Sequence, residues 1–208
     1  MNINLSKKQT INLSKQSDKP SLEKVLFGLN WGMITTAGSK GFFGFGKSEG
    51  TKKSVDLDAS VTCFSSTGRK MDTIYFGKLS NSYIKHSGDD RVGDEDADDN
   101  DNETITVDLS KVPSEVAEMY FYMNSFSGEK FDEIPYAGLR IYEGVVDRPS
   151  NVMATFDVAN DSSFKGSKTI IIGKLFRNEG EWDFEAIGDA KPYSRINDTI
   201  SDIQNNYL

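Results

Sequence analysis

The sequence predicts an all-β protein, a β-sandwich with a short C-terminal helix and a long acidic loop. Most apolar segments are short, rich in β-branched and aromatic residues, and bounded by Gly, Asn, Asp, Ser or Pro, as is typical of strands. Only the C-terminus places apolar residues at helical spacing. No Pro- or Gly-rich linker divides the 208 residues, so we predict one domain spanning residues 1–208.

The N-terminus opens with a short repeat, in which Ile-Asn-Leu-Ser-Lys occurs at 3–7 and again at 11–15. Polar and apolar residues alternate within each copy, which predicts two strands joined by a turn at 8–10. Nine further strands are predicted, at 24–30, 55–64, 73–76, 104–109, 118–124, 139–145, 153–158, 169–176 and 182–187. Many short strands with few helices favour a sandwich or a barrel.

The C-terminal segment is the one clear helix of the sequence. Ile196, Ile200 and Ile203 recur at helical spacing, and Ser194 could cap the first turn. A second short helix is predicted at 113–116. The segments 38–53 and 87–102 are predicted to be irregular loops.

Charge is concentrated in one of these loops. Residues 87–103 hold nine acidic side chains and one base, Arg91, whereas the rest of the chain has equal numbers of acids and bases. A neutral body with one strongly negative loop argues against nucleic-acid binding, which needs basic patches. It favours either a cation site or a solvated acidic loop.

Two aspartates near the start of a predicted strand favour the cation site. Asp is depleted in strands, yet Asp56 and Asp58 stand two residues apart in the segment 55–64. Because side chains alternate along a strand, both should lie on one face, with Leu57 on the other. Calcium is bound by six to eight oxygens, largely from carboxylates and carbonyls, so the acidic loop could complete a site begun on the strand.

The acidic loop does not follow the EF-hand pattern. Asp94, Asp96 and Asp98 fit its first, third and fifth positions, but Asp99 stands where Gly is needed and Ile105 where a bidentate Glu is needed. A calcium site here would have a different architecture.

Several segments together resemble the TerD family of tellurium-resistance and stress proteins. They are the opening repeat, Val-Leu-Phe-Gly-Leu-Asn-Trp at 25–31, Asp-Leu-Asp-Ala-Ser at 56–60, Ser-Gly-Asp-Asp at 87–90, the Asp pair at 98–99, Glu103 with the following strand, Gly-Lys-Leu-Phe-Arg at 173–177 and Gly-Glu-Trp at 180–182. The resemblance covers nearly the whole chain. It implies a β-sandwich that binds two calcium ions and acts in the response to tellurite, phage and colicin stress without an established reaction.

The resemblance also implies a set of calcium ligands. They are Asp56, Asp58, Asp89, Asp90, Asp96, Asp98, Asp99 and Glu103. This chain departs from the family pattern at Ala97, where a Gly is usual, in the longer stretch 100–102, and in the longer segment 39–53. We therefore expect a calcium-binding adaptor module of the stress response, with a metal-independent structural or interaction module as the alternative.

Enzymatic chemistry has little support in the sequence. Residues 41–48 fit the phosphate-loop formula, but no helix follows them, so we expect no nucleotide binding. Phe42, Phe43 and Phe45 in that loop could instead touch a partner or the surface of an anionic membrane. Cys63 and His86 are the only cysteine and the only histidine, and neither has an evident catalytic partner, so we expect no enzyme. We expect a cytoplasmic protein that could also be held at the inner membrane face, with other stress-response proteins or a membrane-associated complex as its partners.

Overall fold

A computed structural model describes residues 2–36, 50–98, 100–158 and 162–208, without the side chain of Ser162. Its regular elements are β1 (Ile3–Asn4), β2 (Thr10–Asn12), α1 (Leu13–Gln16), β3 (Lys24–Trp31), β4 (Ile34–Thr36), β5 (Thr51–Lys53), β6 (Leu57–Phe64), β7 (Lys70–Ile74), β8 (Ile84–His86), β9 (Glu103–Asp108), β10 (Glu118–Ser125), β11 (Ala137–Val145), β12 (Arg148–Asp157), β13 (Thr169–Asn178), β14 (Glu181–Lys191) and α2 (Ile196–Asn206). Short 3-10 turns lie at Leu109–Lys111, Phe131–Glu133 and Ser162–Phe164.

The strands form two six-stranded sheets, which confirms the predicted all-β sandwich. Sheet I has the order β1-β12-β11-β3-β9-β8, and sheet II has the order β2-β14-β13-β10-β6-β7. Their inner faces meet in one apolar core, where Phe27 of sheet I stacks on Phe121 of sheet II with ring centroids 4.0 Å apart. Both side chains are fully buried, so this contact lies at the centre of the sandwich.

Helix α2 packs on the outer face of sheet II. Ile200 and Ile203 of the helix join Phe64, Tyr120 and Tyr122 in a second apolar cluster. Strand β6 is therefore covered on both faces, and all eight of its residues are buried. Among the described residues, no helix is both long and apolar enough to cross a bilayer.

The N-terminal repeat forms two strands, as predicted, but the strands do not pair with each other. Strand β1 runs parallel to β12 in sheet I, whereas β2 pairs antiparallel with β14 in sheet II. The second strand is also shorter than predicted, because Asn12 accepts a hydrogen bond from the Lys15 amide (2.9 Å) and caps the short helix α1. The N-terminus thus links the two sheets.

Three smaller predictions were wrong. Residues 113–116 form a turn, closed by the Val116 amide donating to the Pro113 carbonyl (3.1 Å), and not a helix. Arg195, not Ser194, stands at the N-cap of α2, and it makes no side-chain capping bond. Thr51–Lys53, predicted as loop, pairs with Ile34–Thr36 as a two-stranded ribbon. The predicted loop at 38–53 otherwise lies almost entirely outside the described residues.

Candidate metal centre

Asp56 and Asp58 lie at the start of β6, an inner strand of sheet II. Leu57 points into the core and is fully buried, so the two aspartates share the opposite, outer face, as the alternation predicts. Asp58 lies directly across from Asn124 in the antiparallel pair β6–β10. The Asp56 carbonyl accepts a hydrogen bond from the Phe126 amide (2.9 Å), which fixes the start of β6 against the end of β10.

A third carboxylate reaches this pair from the acidic loop. One oxygen from each of Asp56, Asp58 and Asp89 can be chosen so that all three lie within 4.8 Å of one another. We call these three residues the carboxylate triad. The Arg91 Nε contacts Asp89 Oδ2 at 2.9 Å, from a largely exposed position. The triad thus combines strand and loop, as the sequence predicts for the first part of the site.

Backbone contacts hold the loop in this position. The Val55 amide donates to the Val92 carbonyl (2.9 Å), and the Ser87 amide donates to the Thr104 carbonyl (2.9 Å). Gly88 has a φ of +131°, a conformation that side-chain-bearing residues rarely adopt, and this turn directs the chain toward Asp89. The loop is therefore tied to both sheets next to the triad.

Glu103 connects the strand and the loop that carry the triad. Its Oε2 accepts from the Ala59 amide (2.7 Å) and its Oε1 accepts from the Asp90 amide (3.1 Å). Both oxygens are therefore engaged with backbone donors from the strand and from the loop. Glu103, named above as a calcium ligand, is placed to position the two segments that carry the triad.

Burial and mutual repulsion make the ionised triad energetically unfavourable in the absence of a bound cation. Asp58 is 4 % exposed, and among the described residues no donor hydrogen-bonds to its carboxylate. Burial, with the nearby charges of Glu103, Asp56 and Asp89, raises the pKa of Asp58 to about 7. Burial and then Asp89 also raise the pKa of Asp56. A divalent cation would remove this repulsion, so the donor set fits a hard cation that prefers oxygen.

Asp90 and Asp94, farther along the loop, form a second polar cluster around Asn102. The Asn102 amide donates to Asp90 Oδ2 (3.2 Å) and to Asp94 Oδ1 (2.9 Å), while Tyr136 donates to Asp94 Oδ2 (3.2 Å). Asp90 Oδ1 also accepts from the amides of Val92 and Gly93. These carboxylates are satisfied by donors of the chain, unlike Asp58.

Of the remaining predicted ligands, Asp96 and Asp98 are not part of the triad, and Asp99 is not among the described residues. The Asp96 side chain is 98 % exposed, and its Oδ1 lies 3.7 Å from the Lys52 Nζ. Asp98 accepts from the amide and the side chain of Asn100. Asp99 lies outside the described residues, as do the phosphate-loop formula at 41–48 and Phe42, Phe43 and Phe45.

Asp101 has a structural role that the sequence did not reveal. Its buried carboxylate lies over Gly28 of sheet I, with Oδ1 2.6 Å from the Arg140 Nε and Oδ2 accepting from Tyr142 (3.0 Å). Arg140 and Gly28 are register partners in β11 and β3. The sequence signal for this ion pair is a Gly in β3 that lies opposite an Arg in β11. That signal can be recognised only when the pairing of the two strands is known. This ion pair anchors the end of the acidic loop.

Cys63 is buried in β6, as predicted. It is fully inaccessible, and burial raises the pKa of its thiol to about 12. Such a thiol is protonated at neutral pH and is a poor nucleophile. The described residues therefore give no support for thiol chemistry at this position.

Comparison with known proteins agrees with this architecture. The family model of the TerD domain matches residues 1–203. The chain is 38 % identical to tellurium resistance protein TerZ of Serratia marcescens over 97 % of this chain and 96 % of that protein. It is 32 % identical to stress response protein SCP2 of Bacillus subtilis (strain 168), over 97 % and 98 % of the two chains.

Solved structures share the fold at lower identity. A homologue of telluride resistance protein (TerD) from Streptomyces coelicolor A3(2) superposes with a TM-score of 0.57 at 18 % identity, covering 84 % of this chain and 92 % of its own. A further solved protein of unknown function gives a TM-score of 0.60 at 20 % identity, over 84 % and 91 % of the two chains. These structural similarities show that the chain shares its fold with both proteins.

Proposed function

This chain belongs to the TerD family, and we propose that it acts in resistance to tellurium compounds and related stress as a calcium-binding module. It works by binding and not by catalysis. The observation that carries this proposal is Asp58, a buried carboxylate without a hydrogen-bond donor among the described residues, held beside Asp56 and Asp89. Its partners are other stress-response proteins or a membrane-associated complex.

The triad suits calcium better than magnesium. Calcium takes six to eight oxygens at about 2.3–2.6 Å and tolerates irregular geometry, whereas magnesium requires a near-octahedral arrangement at about 2.0–2.1 Å. Carboxylates that come from one strand end and one loop can each offer one or two oxygens. The remaining coordination positions of the calcium ion are open to water or to a group from a partner. The module can therefore bind a partner in a calcium-dependent manner.

Calorimetric titration of calcium into chelator-stripped protein tests the proposal, with magnesium as the comparison ion. We expect saturable calcium binding and much weaker magnesium binding. Asp58→Asn and Asp89→Asn should each weaken calcium binding by roughly tenfold or more, since each removes a charged ligand (about 1.4 kcal/mol per tenfold).

Matched controls come from the same loop. Asp96→Asn and Asp98→Asn remove equal charge at exposed positions outside the triad, so they should change calcium affinity by less than about threefold through long-range charge alone. Absence of saturable binding at millimolar calcium, or equal losses at all four positions, would overturn the proposal. The acidic loop would then be an interaction surface that does not need metal.

A further inference from the structure

A groove runs along the outer face of sheet II from the triad to the start of α2. Its main cavity has a volume of about 440 Å³ and is lined by Lys70, Asn124 and Arg195, among others. A smaller cavity of about 220 Å³ lies beside Asp56 and Asp89. The two cavities share Asp58, Phe76 and Phe126. The main cavity alone is within the usual size range of small-molecule sites, about 300–1,000 Å³.

A buried amide oxygen in the lining has no donor. Asn124 is 3 % exposed, and among the described residues nothing donates to its Oδ1. The orientation of the amide follows from its neighbours. The Thr169 hydroxyl donates to the Tyr193 carbonyl and the Thr199 hydroxyl donates to the Arg195 carbonyl, so both hydroxyls accept from Asn124 Nδ2.

An unpaired buried carbonyl normally costs free energy, so the Asn124 Oδ1 calls for an explanation. Its direct neighbour across the strand pair is Asp58, which is also an acceptor. Asp58 in its ionised form, the form that binds a cation, has no proton to donate to Asn124 Oδ1, and Asn124 Nδ2 is already engaged with the two threonines. A ligand that brings an N–H or O–H group into the groove would satisfy Asn124.

Two exposed aromatic rings form one wall of the groove. Phe126 is 66 % exposed and Phe76 is 36 % exposed. The rings meet edge to face, with centroids 5.7 Å apart and planes at 83°. Tyr75 continues the row, with its ring centroid 5.2 Å from that of Phe76. Such a wall offers a surface on which a flat apolar ring can pack.

Positive charge enters the main cavity from two basic side chains. Lys70 and Arg195 line it, and neither forms a salt bridge among the described residues. The eleven-residue helix α2 begins at Ile196, and its N-cap Arg195 makes no side-chain capping bond. The Asp198 amide donates to the Arg195 carbonyl (3.1 Å), so among the described residues the amides of Ile196 and Asn197 are left to bind an anion. The opposing charges are Asp198 in the first helical turn and Asp58 of the triad.

We propose that this groove binds a small organic anion that has a flat apolar ring and an N–H or O–H donor. The anionic group lies at the start of α2 beside Lys70 and Arg195, the ring packs on Phe76 and Phe126, and the donor satisfies Asn124 Oδ1. The anion is a carboxylate or a phosphate. This site goes beyond the proposed function and does not require a bound cation.

Fluorescence titration with 1-anilinonaphthalene-8-sulfonate tests the proposal, because that probe combines a flat ring system, an anionic group and an N–H donor. The titration is done in chelator, so that failure of calcium binding does not affect it. We expect one saturable site. Phe126→Ala and Arg195→Ala should each weaken binding by at least about fivefold, from loss of ring contact and of positive charge.

Matched controls remove similar groups elsewhere. Val145→Ala and Arg148→Ala lie at exposed positions on sheet I and should leave probe affinity unchanged. Asn124→Ala should also weaken binding, with near-ultraviolet circular dichroism as a check that each variant is folded. Indole-3-acetate and indoxyl phosphate share a ring and an N–H, so the stronger competitor identifies the anionic group.

The proposal is overturned if the groove variants bind the probe as the unmodified chain does. It is also overturned if uncharged N-phenyl-1-naphthylamine binds as tightly as the sulfonate probe, because the site would then be a merely apolar surface.

Discussion

His86 and Glu103 lie in contact with both side chains fully buried, Glu103 Oε2 being 3.4 Å from His86 Nε2. The same Glu103 oxygen accepts from the Ala59 amide, and His86 Nε2 lies 3.2 Å from the Ala59 carbonyl. His86 Nδ1 accepts from the Gly88 amide (3.1 Å). This pair of side chains therefore joins β6, β8 and the first turn of the acidic loop.

We predict that Glu103→Ala destabilises the protein even without any metal. The change leaves the buried amides of Ala59 and Asp90 without their acceptor and opens a cavity, so the free energy of unfolding should fall by about 2–4 kcal/mol. Urea unfolding in chelator measures this value. Glu115→Ala, at an exposed position, is the control, and an equally small effect for both variants would contradict a supporting role for Glu103.

Unlike Glu103, the ionised Asp58 side chain should destabilise the folded protein. The pKa of Asp58 is raised from 3.8 to about 7 in the folded state, so between these values the folded chain binds more protons than the unfolded chain. Stability should therefore fall as pH rises from about 4 to about 7 and then level off. The full shift corresponds to an upper limit of ~4 kcal/mol.

The comparison of Asp58→Asn with the unmodified chain isolates this effect. In chelator, the variant should be the more stable protein, and its advantage in unfolding free energy should grow by about 2–3 kcal/mol between pH 5 and pH 8. Asp18→Asn, at an exposed site, should show no such pH-dependent difference. If Asp58→Asn is the less stable protein at pH 8 in chelator, Asp58 is stabilised by contacts of the chain and the case for a cation there is lost.

Gly28 should be required for the ion pair at the end of the loop. A Cβ at this position would overlap the Asp101 carboxylate, which is buried and held by Arg140 and Tyr142. Gly28→Ala should lower the free energy of unfolding by about 1–3 kcal/mol through overpacking. In an Asp101→Ala background the same substitution should cost less, and a double-mutant cycle measures the difference. Additive effects would mean that the overlap is relieved elsewhere.

Local pattern was enough to predict most of the strands and the shared face of two of the three triad residues. The spacing of Asp56 and Asp58 fixes their shared face, because side-chain alternation is a property of the strand itself. The roles of the aspartates in the acidic loop could not be predicted in the same way. Asp89, Asp96 and Asp101 are chemically identical, and only tertiary contacts decide that the first joins the triad, the second is exposed and the third pairs with Arg140.

Strand register explains what else the sequence could not reveal. Asn124 opposes Asp58, and Arg140 opposes Gly28, only because of how β10 pairs with β6 and β11 with β3. The N-terminal repeat shows the same limit. Its two copies look equivalent, yet one copy joins each sheet, since the choice of partner depends on distant strands.

Calcium and the organic anion should bind cooperatively if both proposals hold. Asp58 lines both cavities, so its negative charge opposes an anion in the groove until a cation neutralises it. We expect saturating calcium to tighten binding of 1-anilinonaphthalene-8-sulfonate by roughly 3- to 30-fold, about 0.6–2 kcal/mol of coupling. Linkage requires that the probe tighten calcium binding by the same factor, which calorimetry can measure independently.

Asp58→Asn provides the decisive variant for this coupling. The substitution removes the negative charge that attracts calcium and repels the probe. In chelator, the probe should therefore bind more tightly to the variant than to the unmodified chain. Calcium should no longer change the affinity of the variant for the probe. Asp96→Asn, whose side chain is exposed and is not part of the triad, should retain the full coupling. If calcium binds to the unmodified chain but leaves the affinity of the probe unchanged, the two cavities act independently and Asp58 does not connect them.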